Sequence, residues 1–155
     1  MRITPGFLDH LTGARLERSR VLVEEHTDDL WIVRRPIVFQ SAVMRARLII
    51  PEGFVTDFAS VPRWFPLAHV ILARRARGPA VVHDFLYQSH LCESQEVADD
   101  VFHEAMRVDQ VAAFYRGVMA SAVRVAGRWS WDSGPERFQV LGNASGGAAV
   151  LPLLG

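Results

Sequence analysis

The sequence contains no lysine: all 17 basic residues are arginines, and they balance 17 acidic residues to a formal net charge of zero. A neutral chain lacks the positive excess with which general nucleic-acid binders neutralise phosphates, so we expect no such function. Arginine offers a planar fork of donors for carboxylates and phosphates. A GC-rich genome would also replace lysine by arginine throughout, so composition alone assigns these residues no ligand.

Cysteine and long apolar runs are equally scarce. The single cysteine, Cys92, cannot form an internal disulfide, which excludes a disulfide-stapled secreted scaffold. The longest apolar stretch, residues 65–73, contains a histidine and is far shorter than the roughly 20 residues that span a bilayer. The N-terminus lacks the apolar run of a secretory signal. We therefore expect no transmembrane segment and a location in the cytoplasm.

Half of the 155 residues are hydrophobic, so the chain can bury one core. Residues 21–24 and 30–33 flank a polar turn, which predicts a hairpin in the first third of the chain. Residues 37–39 and 46–50 predict two further strands. Residues 54–64 mix small polar and aromatic residues without a period, which predicts an irregular loop.

The middle of the chain predicts three helices. The first starts at Gly78-Pro79, with proline at the first helical position, and runs to about His90. The second has Ser94 as its N-cap, and the third runs from about Gln110 and stops at Gly127. Because the first connection is short, the first two helices should pack antiparallel. The predicted fold class is α+β: a small antiparallel N-terminal sheet, an irregular loop and three packed helices.

The end of the chain has a different composition from the rest. Residues 1–141 form the predicted globular domain, and residues 142–155 form an arm rich in glycine and alanine that ends in leucines. Such an arm is too poor in large apolar residues to fold alone. It is either a disordered tail or an extended strap that orders on a partner.

The first predicted helix carries three polar residues, His83, Asp84 and Tyr87, off its apolar stripe. Asp99 lies at the edge of the apolar face of the second helix, where antiparallel packing would bring it to His83. A carboxylate on one imidazole nitrogen fixes the tautomer and leaves the other nitrogen to take a proton from water. His83, Asp99 and Tyr87 are therefore the candidate catalytic residues. An amphipathic helix with a solvated polar face would show the same spacing.

Two carboxylates are candidate metal ligands. Asp84 would be free to ligate a hard cation such as calcium, and Asp57 in the predicted loop could complete a carboxylate cluster with it. Equally, Asp57 and Ser60 could cap backbone donors of the loop. The other histidines lack paired ligand spacing, so we expect no zinc site.

A basic run lies just before the first predicted helix. Arg74, Arg75 and Arg77 could hold a phosphate or another anionic group close to His83. A solvated surface patch would need no ligand. A third functional alternative is a modulator that binds a nucleotide through this run of arginines.

Three ordered motifs resemble those of one family. They are G-F-x-T-D-x-A-S-x-P-R over residues 53–63, H-D-x-x-Y over residues 83–87 and A-D-x-x-F-x-x-A-M from Ala98. The family is one of tailed bacteriophages and prophages, domain of unknown function thirteen fifty-three. The resemblance covers about residues 45–131 and implies a phage or prophage origin without supplying an activity. It places the expected location in the host cytoplasm or in the virion.

The H-D-x-x-Y motif also resembles the active-site helix of phospholipases A2, especially their bacterial and parvoviral forms. This local resemblance implies that His83 is the general base, Asp84 a calcium ligand, Tyr87 a supporting hydroxyl and Asp99 the partner of His83. Those enzymes have a glycine-rich calcium loop before the helix, whereas residues 72–78 contain one glycine.

Two functional hypotheses follow. The first is a phage-encoded hydrolase that acts on a cell-envelope component, lipid or peptidoglycan, through a His83–Asp99 dyad. The second is a non-catalytic structural or assembly protein of the virion, in the tail, whose His/Asp cluster is a structural polar network. In the second case the C-terminal arm would contact other virion proteins.

Overall fold

The computed structural model describes residues 2–27, 30–57, 76–132 and 149–153. It confirms the α+β fold class. The strands are β1 (Gly6–Leu8), β2 (Val23–Thr27), β3 (Leu30–Val33), β4 (Ile37–Ser41), β5 (Ala46–Ile50), β6 (Val55–Thr56) and β7 (Ala149–Pro152). The helices are α1 (Arg77–Ser89), α2 (Gln95–Val108) and α3 (Ala113–Asp132). No helix in these ranges is long and apolar enough to cross a membrane.

The strands form two antiparallel sheets rather than the single small sheet predicted. One has the order β1-β4-β5-β7 and the other the order β2-β3-β6. The predicted hairpin is confirmed as β2 and β3, and β5 has the predicted bounds. In β4 and β5 every second side chain is buried, as expected where one face of a sheet covers the core.

Helix α1 is buried on nearly all sides, and 10 of its 13 residues are buried. Val81 and Phe85 pack into the main core with Phe39 and Leu48 of the four-stranded sheet. The prediction that the polar residues of this helix lie off the core is wrong. A helix enclosed by a sheet and by other helices buries its polar flank together with its apolar stripe.

The ends of the helices match the sequence signals in two of three cases. Ser94 is the N-cap of α2, and its hydroxyl accepts a hydrogen bond from the amide of Val97 at 3.4 Å. Helix α1 ends where His90 adopts the left-handed conformation, with φ of 51°. The predicted stop of the third helix at Gly127 is wrong, because α3 continues to Asp132.

The arm at the end of the chain contributes β7 to the protein's own sheet. Residues 149–152 pair antiparallel with β5, so Leu151 lies opposite Arg47 and Val150 opposite Leu48. The amide of Leu153 also donates to the carbonyl of Arg45 at 2.9 Å. This segment therefore pairs with β5 of the same chain. Residues 142–148 and 154–155 of the predicted arm lie outside the described residues.

A chain that ends at Ala148 should lose β7 and leave the edge of β5 unpaired. We expect the free energy of unfolding to fall by roughly 1–3 kcal/mol, because a few backbone hydrogen bonds at about 1 kcal/mol each are lost. Amide hydrogen exchange should become faster in β5 and remain unchanged in α2. Leu151→Thr is the control, since Leu151 is 47% exposed and its backbone can still pair. Unchanged exchange in β5 after the truncation would contradict the pairing.

Candidate functional site

A His–Asp contact joins α1 to α2. Nε2 of His83 lies 3.0 Å from Oδ1 of Asp99, and both residues are 2% exposed. The expected approach of these two side chains is confirmed. It arises because α1 and α2 are joined by only five residues and pack side by side, so the middle of one helix faces the first half of the other. Asp100, the next residue, has a side chain that is 59% exposed.

Tyr87 joins the same carboxylate oxygen. Its hydroxyl donates to Oδ1 of Asp99 at 2.8 Å, and its ring centroid lies 4.2 Å from that of His83. Burial raises the pKa of Tyr87 far above its usual value, and the neighbouring charge of Asp99 raises it further. Tyr87 therefore remains a neutral hydrogen-bond donor. One turn of α1 thus supplies two groups to Asp99.

The second oxygen of Asp99 faces residues that the sequence did not single out. Nε2 of Gln95 donates to Oδ2 at 3.4 Å and also to the backbone carbonyl of Arg124 at 3.2 Å. Nε of Arg124 lies 4.0 Å from the same oxygen, while Nη2 of Arg124 donates to Asp100 at 3.0 Å. Gln95 could have been found as the residue one helical turn before Asp99, but Arg124 carries no local signal. Asp99 thereby connects all three helices.

Asp84 contacts the three-stranded sheet. Its Oδ2 accepts a short hydrogen bond from the hydroxyl of Thr56, and both residues are buried. Thr56 belongs to β6, inside the segment predicted to be an irregular loop. Asp57, the residue after β6, is exposed. Ser60 lies outside the described residues.

The described residues do not form a recognisable metal site. No group of three or more His, Cys, Asp or Glu side chains within residues 2–27, 30–57, 76–132 and 149–153 is arranged to hold an ion. Asp84 has Thr56 as a neighbour where a second carboxylate was expected. The roles of Asp84 and Asp57 as calcium ligands stay predictions.

Of the three arginines predicted to bind an anion, Arg77 alone lies within the described residues. Arg74 and Arg75 lie outside the described residues. Arg77 is exposed at the start of α1, and its guanidinium carbon lies 5.9 Å from the ring centroid of Trp31. This distance is in the range of a cation–π contact. The anion-binding role of the three arginines stays a prediction.

Aromatic rings and a cysteine surround the far side of Tyr87. The ring of Trp131 stacks on His90, with centroids 4.1 Å apart and planes 5° apart, and meets Tyr87 edge-on at 5.3 Å. Burial raises the pKa of the Cys92 thiol to about 11, so it stays protonated near neutral pH. A half-buried thiol that stays protonated is a poor nucleophile.

Gly127 has a different role from the helix stop that was predicted. It lies within α3 where that helix passes over Tyr87. A Cβ atom at this position would overlap the Tyr87 hydroxyl and would lie 3.0 Å from Nε2 of Gln95. The absence of a side chain is what allows α3 to approach the buried polar cluster formed by His83, Tyr87, Gln95 and Asp99.

The chain matches a known family over the part that carries this cluster. Residues 31–123, more than half of the 155 residues, match the family model described as protein of unknown function (DUF1353). The chain belongs to this family. The DUF1353 match extends from β3 into α3 and includes Thr56, His83 and Asp99. No curated protein and no solved structure matches the chain.

The three sequence motifs of this DUF1353 chain supply residues that lie together in the buried polar cluster. The first motif supplies Thr56, the second His83, Asp84 and Tyr87, and the third Asp99. The third also supplies Phe102, whose ring centroid lies 4.8 Å from that of His83. Residues that are far apart in sequence thus form one buried polar group.

Gly127→Ala should destabilise the protein by roughly 1–3 kcal/mol, because the added methyl group overlaps the Tyr87 hydroxyl and forces the helices apart. Gly117→Ala is the matched control in the same helix: its Cβ would meet no atom within 4 Å. That change should stabilise the protein by about 0.5–1 kcal/mol through helix propensity. Urea unfolding of both variants measures the contrast. Equal effects of the two substitutions would contradict the close approach.

Proposed function

We propose that this protein is a phage- or prophage-encoded hydrolase that acts on a cell-envelope component, with His83 as its general base. The observation that carries the proposal is the 3.0 Å contact between Nε2 of His83 and Asp99. Asp99 occupies one ring nitrogen, so Nδ1 is the nitrogen left to take a proton. Within the described residues no hydrogen bond to Nδ1 is found.

The proposed reaction needs three groups of the chain. Nδ1 of His83 takes a proton from water as the water oxygen attacks the carbonyl carbon of the substrate. Asp99 holds the imidazole in the tautomer that leaves Nδ1 unprotonated, and it stabilises the imidazolium that forms. Tyr87 orients Asp99 through the 2.8 Å hydrogen bond. The proton then passes from His83 to the leaving group. The local resemblance to phospholipases A2 implies the same roles for these residues.

The cluster must open for this chemistry. His83 is 2% exposed, so water and substrate reach Nδ1 only after residues that cover it move. Loops and lids of many enzymes open in this way to admit substrate and to release product. No step of the proposal uses a metal ion, because Asp84 and Asp57 do not form a donor set with a third ligand in the described part of the chain.

The phage or prophage origin and the envelope substrate rest on the resemblance of the three motifs. Phospholipid esters and peptidoglycan amides are the two substrate classes to compare. Both present a carbonyl carbon to an activated water, so the His83–Asp99 pair fits either one.

His83→Gln should lower hydrolysis at least a hundredfold, the usual contribution of a general base. Glutamine can still donate to Asp99, so the fold should persist, as circular dichroism would show. The assay follows fatty-acid release from phospholipid vesicles and release of soluble fragments from peptidoglycan. His103→Gln is the control: His103 lies on α2, half-buried, and contacts none of the cluster residues named above. Full activity of His83→Gln, or an inactive native protein on both substrates, would refute the proposal.

The second candidate is a structural or assembly protein of the virion, and the burial of the cluster favours it. Both oxygens of Asp99 have neighbouring donors, from His83, Tyr87 and Gln95. Polar networks that are fully satisfied fix how helices pack and need no substrate. Detection of the protein in purified virions would support this candidate.

Asp99→Asn tests how far the fold depends on the cluster. The amide has one acceptor where the carboxylate has two, so one of the donors from Gln95, Tyr87 or His83 loses its partner. We expect the free energy of unfolding to fall by about 3 kcal/mol. Asp100→Asn, the exposed neighbour, should change it by less than about 1 kcal/mol. Thermal or urea unfolding measures both. A small effect of Asp99→Asn would mean that the network does not hold the helices together.

A further inference from the structure

A cavity of about 80 Å³ lies apart from the His83–Asp99 cluster. The segment after β1, the segment around residues 16–20 and the start of β4 enclose it. Its floor is apolar and includes Phe7, Leu16 and Ile37. Its polar lining comes from Arg20, Arg35 and two neighbouring residues of the β1 segment.

The two arginines of this cavity differ from those around them. Arg15 donates to the backbone carbonyls of Thr4 and Pro5, and Arg34 pairs with Glu24 at 2.8 Å. Within the described residues, Arg20 and Arg35 have neither a hydrogen bond nor an ion pair. Both are exposed and come from separate segments. Two arginines thus line one concavity, and within the described residues neither has an ion-pair partner.

The remaining charged groups of the lining do not neutralise them. Asp9 is the one carboxylate of the lining, and its Oδ1 accepts from the amides of Leu11 and Thr12. Hydrogen bonds from Thr12 lower the pKa of Asp9, so it stays ionised. Two arginines against one aspartate leave an excess of positive charge among the described residues of the lining.

We propose that this cavity binds a phosphate group, held by Arg20 and Arg35. A phosphate has enough terminal oxygens to accept from two guanidinium forks at once. The apolar floor lowers the local dielectric constant and strengthens that attraction. The volume is too small for a nucleotide or a sugar, so the phosphate enters as the head of a ligand whose remainder stays in solvent. A soluble phosphomonoester and the headgroup of an anionic lipid share this chemistry.

Isothermal titration calorimetry with inorganic phosphate, at constant ionic strength, tests the site. Arg20→Gln and Arg35→Gln should each weaken binding about tenfold, the usual effect of losing one charge-assisted hydrogen bond. Arg18→Gln removes the same charge from the same segment, outside the cavity lining, and should change binding less than about twofold. Amide chemical shifts should move in residues 7–10 and in Arg35, Ile37 and Val38.

The outcomes distinguish a specific phosphate site from nonspecific attraction of anions to the protein surface. Equal weakening by Arg18→Gln, shifts spread over the surface, or the absence of saturable binding would overturn the proposal. Two probes distinguish the sources of the phosphate. Phenyl phosphate represents a soluble phosphomonoester. Vesicles of phosphatidic acid, with phosphatidylcholine vesicles as reference, represent the headgroup of an anionic lipid. Circular dichroism of each variant checks the fold, which these exposed side chains should not alter. The site does not depend on hydrolysis by His83, so His83→Gln should bind phosphate as the native protein does.

Discussion

The carboxylate of Asp99 is the group on which the packing of the helices depends. It is buried between α1, α2 and α3, with His83 and Tyr87 on one oxygen and Gln95 on the other. A buried carboxylate without partners would cost several kcal/mol. The three helices must therefore keep the positions that supply those partners. Gly127 allows this, because α3 can approach Tyr87 only where no side chain intervenes.

Much of the fold could be predicted where the signal is local. Residues 46–50 form a mostly apolar run, the strands of the β2–β3 hairpin flank a polar turn, and Ser94 is a strong N-cap. Strands β6 and β7 have two and four residues and depend on partners distant in sequence. A window of the chain contains no information about such pairing. The prediction of a helix end at Gly127 is wrong, because the sequence alone does not distinguish a glycine that permits close packing from one that ends a helix.

The contacts of His83 and Tyr87 with Asp99 could be predicted from the sequence, whereas the burial of these residues could not. Helical spacing placed His83 and Tyr87 on one flank, and the short α1–α2 connection placed Asp99 opposite them. Burial of that flank follows from how the sheet and α3 enclose α1, which spacing does not reveal. The contact of Asp84 with Thr56 could not be predicted, because it joins α1 to a two-residue strand that is distant in sequence.

Two different sets of contacts hold His83 in place, and they constrain how the cluster could open. On one side, Asp99 ties α1 to α2 and α3 through Gln95. On the other side, Asp84 ties α1 to β6 through Thr56. Opening between the helices would break the His83–Asp99 contact and with it the tautomer that a base requires. Opening on the sheet side would break the contact between Asp84 and Thr56 while Asp99 keeps its partners. The proposed reaction is therefore compatible with movement near β6 and incompatible with separation of α1 from α2.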